Sequence, residues 1–522
     1  MGQSPGVISR RAMLGSAVLP LLGCGEPVPA SGSLRGASAE RGHLLRGPPA
    51  PAAAAPARRV RVLVAGAGVA GLAATRALRQ RGIEDFALLE LEDAAGGNSR
   101  GGEVAGIACP LAAHYLPVPG DDAREVQDLL EELGLRQRVA GRWVYDERHL
   151  CHAPQERLYF KGEWQEGLLP LRGVGEATLA QYRRFAALAE QAGRRARFTI
   201  PAARTPPASH RELDATTFAN WLDREGLADA HLRWYLDYCC RDDYGAGIGT
   251  VSAWAGIHYF ASRHGFQPPG AQSADRDAVL TWPEGNGWLT HRLAAGLGER
   301  LRLGRVVLRI APVRRGVEVD AWNVASQSVE RWQAQQCIVA LPLLAAARVV
   351  EGAPAFLQER ARRIRYAPWV VANLRLSEPL DDRGGAAPAW DNVLYGAPGL
   401  GYVDAMHQSL DPRPGATVLT WYCAPGEQAR PGLLVRTWRE WRDQVVAELS
   451  PAHPDLASRL VHIDVARYGH AMAVPVPGAL AQMALGVPQT ARLAFAHSDW
   501  AGYSIFEEAF TAGHRAGLDL RV

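Results

Sequence analysis

Short apolar runs and helical spacings alternate along this chain in a readable order. Val60 to Ala65 is apolar and valine-rich, short and β-branched enough for a strand buried on both faces of a parallel sheet. The pattern then turns through Gly66, Gly68 and Gly71 into helical spacing, with Leu72, Ala73, Ala77 and Leu78 on one face. A second apolar strand follows in "FALLELE", ending at Glu90. Between Leu213 and Gly265 apolar residues recur at helical spacing, as in Trp234 to Tyr238, which predicts a helical region. In "LTWYCAPG" a strand is expected, and alternation lets only one of Trp421 and Tyr422 face inward.

Two regions break this pattern. Ala12 to Leu22 is apolar but too short to span a bilayer, and Arg10-Arg11 precede it, the order of an export signal. The paired arginines resemble the twin-arginine type, and Leu21-Leu22-Gly23-Cys24 resembles a lipobox, with Cys24 the acylated residue. Cleavage near Ala30 without lipid is the alternative. From Glu26 to Arg59 the chain is Pro, Ala, Gly and Ser with few large apolar residues, a composition expected to form a flexible tether. No other segment approaches the ~20 apolar residues of a membrane span.

Composition adds exclusions. A net charge of +3 does not point to nucleic acid. Lys161 is the only lysine. Cys109, Cys151, Cys239, Cys240, Cys337 and Cys423 show no metal-ligand spacing, so no metal is expected, and buried thiols are the simplest reading. The vicinal pair Cys239-Cys240 leaves a redox element open.

The chemical signal lies in the glycine turn. Gly66 permits the turn, Gly68 lets backbone approach a pyrophosphate beside Ala70, and Gly71 lets helix and strand pack closely. Glu90, nineteen residues after Gly71, is spaced to accept hydrogen bonds from ribose hydroxyls. Gly96-Gly97-Asn98 follow in "DAAGGNSRGG". That order resembles the FAD-binding segment of the flavin amine oxidase and phytoene desaturase superfamily. The resemblance continues in "WPEGNGWLTHRLAAGL", "RVVLRIAPVRRGVEVDAW" and "CIVALPLLAAARV", where it implies a β-meander with Val307 against adenine, then a strand from Ile338 to Pro342 returning to the first sheet. "RLAFAHSDWAGYSIFEEAFTAGHRAG" is similar to the family's closing segment, with Asp499 at the acidic position and the backbone of Ile505-Phe506 facing the flavin.

The resemblance implies an α/β fold: a discontinuous Rossmann-like FAD-binding domain, residues 60–120, 280–350 and 455–522, with an inserted α+β substrate domain, 121–279 and 351–454, after a leader (1–24) and linker (25–59). It implies an FAD-dependent oxidoreductase that passes hydride from an amine or related small molecule to flavin, with oxygen or a quinone as acceptor. Desaturation or porphyrinogen-type oxidation of a larger apolar substrate, and a silent FAD-binding lipoprotein, are the alternatives. The family's lysine is missing from "YAPWVVANLRLSEP" near Val371, and Pro110 and Ala112 replace an expected Asp and Gly. His114, retained beside Tyr115, is then the candidate catalytic group, as proton carrier or hydrogen-bond donor, with Tyr115, Trp421 and Tyr422 as substrate contacts. The leader fits the cofactor, because twin-arginine export carries proteins already folded. The expected location is therefore periplasmic or cell-surface, held to the membrane by lipid alone.

Overall fold

The computed structural model describes residues 30–47, 57–269, 278–409 and 415–521, so the leader and Cys24 lie outside the described residues. Two sheets organise it. In the seven-stranded sheet, Arg58–Ala65 pairs in parallel with Phe86–Leu89 on one side and Ser328–Val339 on the other. Leu493–Phe495 adds in parallel beside Ser328–Val339. The register aligns Ala65 with Leu89 and Val339, and Val339 with Phe495. Gly66, Glu90, Ala340 and Ala496 thus leave the sheet at one edge, the place where open α/β sheets bind ligands. Arg305–Val313 and Gly316–Asn323 complete the meander against the first half of Ser328–Val339.

Two helices cover one face of this sheet at close range. A Cβ on Gly71 would lie 1.8 Å from the Gly66 carbonyl oxygen, so the helix Val69–Gln80 sits directly on the turn that feeds it. The closing helix Phe506–Asp519 crosses it, and a Cβ on Gly513 would lie 1.9 Å from the Ala70 carbonyl oxygen. Only hydrogen at these positions permits the approach.

The eight-stranded sheet is built around Tyr366–Leu376, paired antiparallel with both Thr417–Cys423 and Leu460–Ala473. Alternation divides its residues: Val370, Ala372, Trp421 and Cys423 pack beneath the helix Trp438–Leu449, while Val371, Tyr422, Ala466 and Tyr468 face the helical region that holds Glu176–Arg195 and Ala230–Tyr244.

Packing shifts several expected boundaries. Leu460–Ala473 belongs to the eight-stranded sheet, although residues 455–522 were assigned to the nucleotide domain, because Leu460 to Ala473 pair with Tyr366–Leu376. The helix Arg124–Glu132 sends Val126, Leu129 and Leu130 into the core beneath Val69–Gln80, and Leu357 packs on the seven-stranded sheet's other face. Residues 30–47 are not a free tether. Ser31–Gly36 pairs in parallel with His462 to Arg467, and Ala39–His43 is helical. Composition misled here because backbone pairing on a sheet edge, rather than apolar burial, orders the segment. Among the described residues no helix is long and apolar enough to cross a membrane.

Replacing Gly513 with leucine should force the two helices apart and destabilise the protein by about 1–3 kcal/mol. Thermal unfolding of the apoprotein reads this, and an unchanged melting temperature would contradict the close crossing.

Candidate active site

The turn after the first strand begins at Gly66, whose φ of +96° lies in the region that favours glycine. Gly68 caps the helix Val69–Gln80 and bridges to Gly96, whose N–H donates to the Ala67 carbonyl at 2.8 Å. A Cβ on Gly68 would meet nothing nearer than the Gly97 Cα, at 3.9 Å. The two glycine turns therefore enclose an open floor in front of a helix N-terminus, where unpaired N–H groups favour an anion.

Glu90 is buried at the end of the neighbouring strand. Its Oε2 accepts from the Ala67 N–H at 2.7 Å and its Oε1 from the Glu92 N–H at 2.9 Å. Burial raises its pKa, opposed by those two N–H groups. A carboxylate held by two bonds keeps lone pairs for hydroxyl donors. Arg305 N–H donates to the Glu90 carbonyl at 2.7 Å, bringing the meander alongside. There Val307 is buried among Leu89, Ile310 and Leu343.

Arg100 escaped the sequence reading. It is buried, its Nε donates to the Gly97 carbonyl at 3.2 Å, and its guanidinium lies 3.6 Å from Glu92. A cation under the second glycine turn suits a pyrophosphate. The signal was an arginine three residues after the glycine pair, in a chain where arginine is too common to stand out.

Asp499 is buried in the closing segment. One of its oxygens accepts from the Leu343 N–H at 2.9 Å and from the Tyr366 hydroxyl, and the other lies 3.1 Å from His497 Nδ1. Burial would raise its pKa, but His497, Tyr366 and Leu343 outweigh it and lower it. The carboxylate joins three segments of chain. Ile505 and Phe506 open the closing helix, Ile505 against the substrate-side core and Phe506 in the core beneath Val69–Gln80, so this helix N-terminus stands at the junction of the two halves.

The site continues from the second glycine turn. The Asn98 carbonyl accepts from the Ala113 N–H at 2.9 Å and its side-chain amide donates to the Ala471 carbonyl at 2.7 Å. One residue beyond Ala113, His114 stacks on Tyr422 with ring centroids 4.3 Å apart, 5.0 Å from Tyr115 and 5.4 Å from Trp390. The Tyr422 hydroxyl is buried with no hydrogen-bond partner among the described residues. Tyr115 turns its hydroxyl toward Asp242, 3.4 Å away. His114, Tyr115, Asp242 and Asp391 are each half-buried, so the rings and carboxyls keep a recess of accessible surface between them.

The recess holds carboxyl groups whose charged forms burial opposes. Burial, then the neighbouring Asp243, push the Asp242 pKa up to about 7, and burial followed by Asp242 and Glu156 raises Asp391. The nearby guanidinium of Arg263 is committed to Asp243 at 3.0 Å. Asp242 and Asp391 lie in the helix Ala230–Tyr244 and the strand Asp391–Leu394, far apart in sequence.

Burial lowers the His114 pKa to about 3, which favours the neutral imidazole and, of its two expected roles, the hydrogen-bonding one. Its remaining role is as an aromatic wall and neutral hydrogen-bonding group. Trp421 lies on the opposite face of the sheet from Tyr422, packed near Trp441 with its Nε1 donating to Glu448 at 2.9 Å, so it does not reach the recess. Lys161 is exposed on a hairpin, donating to the Gly173 carbonyl at 2.9 Å. Cys239 and Cys240 are buried free thiols.

The open glycine floor, buried Arg100, Glu90 and the path past Asn98 to the aromatic recess fit an extended flavin dinucleotide. Glu90→Ala should weaken FAD retention by about 1.5–3 kcal/mol, read as flavin absorbance per protein after dialysis, with unchanged content arguing against the ribose role. Gly68→Val should yield apoprotein, because its side chain fills the floor; a fully yellow variant would refute this placement.

Comparison with known proteins agrees with this geometry. Wild-type putrescine oxidase bound to putrescine superposes with a TM-score of 0.68 at 18% identity, covering 89% of this chain and 99% of that one. Cyclohexylamine oxidase from Brevibacterium oxydans IH-35A gives 0.64 at 19%, covering 88% and 98%. A CLA-producing fatty acid isomerase from P. acnes gives 0.60 at 15%, covering 87% and 97%. At these identities the likeness establishes the fold. An L-amino acid dehydrogenase of Synechocystis sp. (strain ATCC 27184 / PCC 6803 / Kazusa) is 27% identical over 213 residues, 40% of this chain and 41% of its own length. AofH, named as a flavin-containing monoamine oxidase of Mycobacterium tuberculosis (strain ATCC 25618 / H37Rv), is 29% identical over 265 residues, 50% of this chain and 54% of its own. The matches thus span about half or less of the curated relatives' lengths. The family model for flavin-containing amine oxidoreductases matches residues 69–517, and the chain belongs to that family.

Proposed function

We propose that this FAD-dependent oxidoreductase oxidises a small cationic amine. The observation that carries the reading is the meeting of aromatic rings with a half-buried, ionisable Asp242. An ammonium group taken from water into such a space needs a carboxylate partner, and rings supply cation–π attraction of about 0.5–2 kcal/mol. A larger apolar substrate would leave these carboxylates buried against hydrocarbon, so desaturation is disfavoured. The fatty acid isomerase on the same fold makes that distinction necessary, since fold alone does not choose a substrate.

In this reading the N–H groups at the start of Val69–Gln80, Gly68, Ala70, Gly97 and Arg100 hold the pyrophosphate, Glu90 the ribose, Val307 the adenine, and the start of Phe506–Asp519 the flavin end. Bound FAD supplies the hydride acceptor, later reoxidised by oxygen or a quinone. The chain's own groups do the rest. Asp242 orients the amine, Tyr115 steadies Asp242, and His114, Tyr422 and Trp390 exclude water and fix the carbon's approach. The retained recess and carboxylates also disfavour a silent FAD binder, despite the missing lysine.

Export and lipid anchoring remain part of the proposal, supported by Arg10-Arg11 and Leu21 to Cys24. A cofactor site closed from segments at both ends of the chain favours a route that carries folded protein.

Asp242→Asn should lower kcat/KM for a cationic amine by roughly ten- to a hundredfold, the value of a charge-assisted hydrogen bond. In the native protein kcat/KM should fall as pH drops below about 7, where Asp242 takes up its proton, and the asparagine variant should lose that acidic limb. Steady-state kinetics across pH decides it. An unchanged profile in the variant would remove Asp242 from the site.

A further inference from the structure

The segment Ser31 to Arg46 joins the two halves of the molecule by atoms that end beside Glu90. Its first part adds to the eight-stranded sheet along His462 to Arg467, with Ser33 Oγ donating to Asp464 at 2.5 Å and Arg35 pairing the same carboxylate at 2.9 Å. Gly32 is required there, since a Cβ would lie 2.4 Å from the Trp438 ring. The chain then crosses to the seven-stranded sheet. Ser38 N–H donates to Glu92 Oε1 at 2.8 Å, and Arg41 donates to the Leu91 carbonyl at 3.0 Å and, through both terminal nitrogens, to Asp93 at 2.9 Å. Leu45 packs against the apolar cluster that contains Leu89 and Val307.

These bonds bracket one turn. Residues 90–93 are held from one side by the meander, where Arg305 and Gly304 N–H groups donate to the Glu90 and Glu92 carbonyls, and from the other by the Ala67 N–H on Glu90, by Arg100 and by this segment. Glu92 is the link: its N–H fixes Glu90 Oε1, while its own carboxylate receives Ser38 and faces Arg100.

We propose that residues 31–46 act as a strap that positions the adenosine-binding turn, with Ser38 and Arg41 as positioning residues for FAD. The inference rests on FAD as the cofactor, which family membership supplies. Asp93 is largely exposed, so its ion pair alone contributes little. The effect of Arg41 runs through Leu91 and the course of the turn.

Titration of apoprotein with FAD, followed by flavin fluorescence, tests the strap in the full-length protein. Arg41→Ala should raise the FAD dissociation constant by about three- to thirtyfold, while the spectrum of bound flavin and turnover at saturating FAD stay at native values. Asp93→Ala should leave the constant within about twofold. Ser38→Pro supplies a second variant: the native φ of −73° suits proline, it removes both the N–H bond to Glu92 and the hydroxyl that caps the Arg41 N–H, and a rise in the same direction is expected. An unchanged constant in Arg41→Ala and Ser38→Pro, with or without a lower apoprotein melting temperature, would reduce the segment to a tether and overturn the proposal. Native protein that binds no FAD would instead refute the cofactor reading itself.

Discussion

The common register of four parallel strand ends is the constraint on which this structure depends. Ala65, Leu89, Val339 and Phe495 stop at one level, so a glycine turn, a carboxylate, a returning strand and the closing segment emerge together. These residues come from opposite ends of a 522-residue chain. Gly513 against Ala70 and Gly71 against Gly66 lock the two helices over that edge, bringing two helix N-termini to the same region. A dinucleotide needs several anion-binding and polar groups at fixed separations, and the sheet register sets those separations before any ligand arrives.

The recess beyond it carries an opposing energy. Burying the carboxyls of Asp242 and Asp391 costs stability, which their raised pKa values express, while the neighbouring Asp243 is paired with Arg263. Such an arrangement is sensible if a cation completes it. The neutral His114 ring, stacked on Tyr422 and tilted toward Trp390, fits the same logic, because a further cation there would repel an ammonium group.

What the sequence revealed follows the range of the interactions involved. The glycine turn, its helix and Glu90 are local features whose geometry is written in consecutive residues. Alternation said that Trp421 and Tyr422 face opposite ways, but only the pairing of Tyr422 with Val371, and of the sheet with its neighbours, decided which points inward. Asp499 had the expected position in its motif, yet its oxygens are taken by Tyr366, Leu343 and His497, two of which belong to distant segments. The strand Ser31–Gly36 was illegible for a different reason. Its order comes from backbone bonds to a strand more than 400 residues away, since Ser31 stands opposite His462, and a Pro, Gly and Ser composition carries no trace of that partner.

The central claim is that the aromatic, carboxylate-lined recess delivers an amine to flavin. The direct measurement is the visible spectrum of purified holoprotein under anaerobic conditions as monoamines, diamines, polyamines and amino acids are added in turn. A bound-flavin spectrum that at least one cationic amine bleaches is expected. A flavin spectrum that none of them bleaches, while an uncharged apolar compound does, would contradict it.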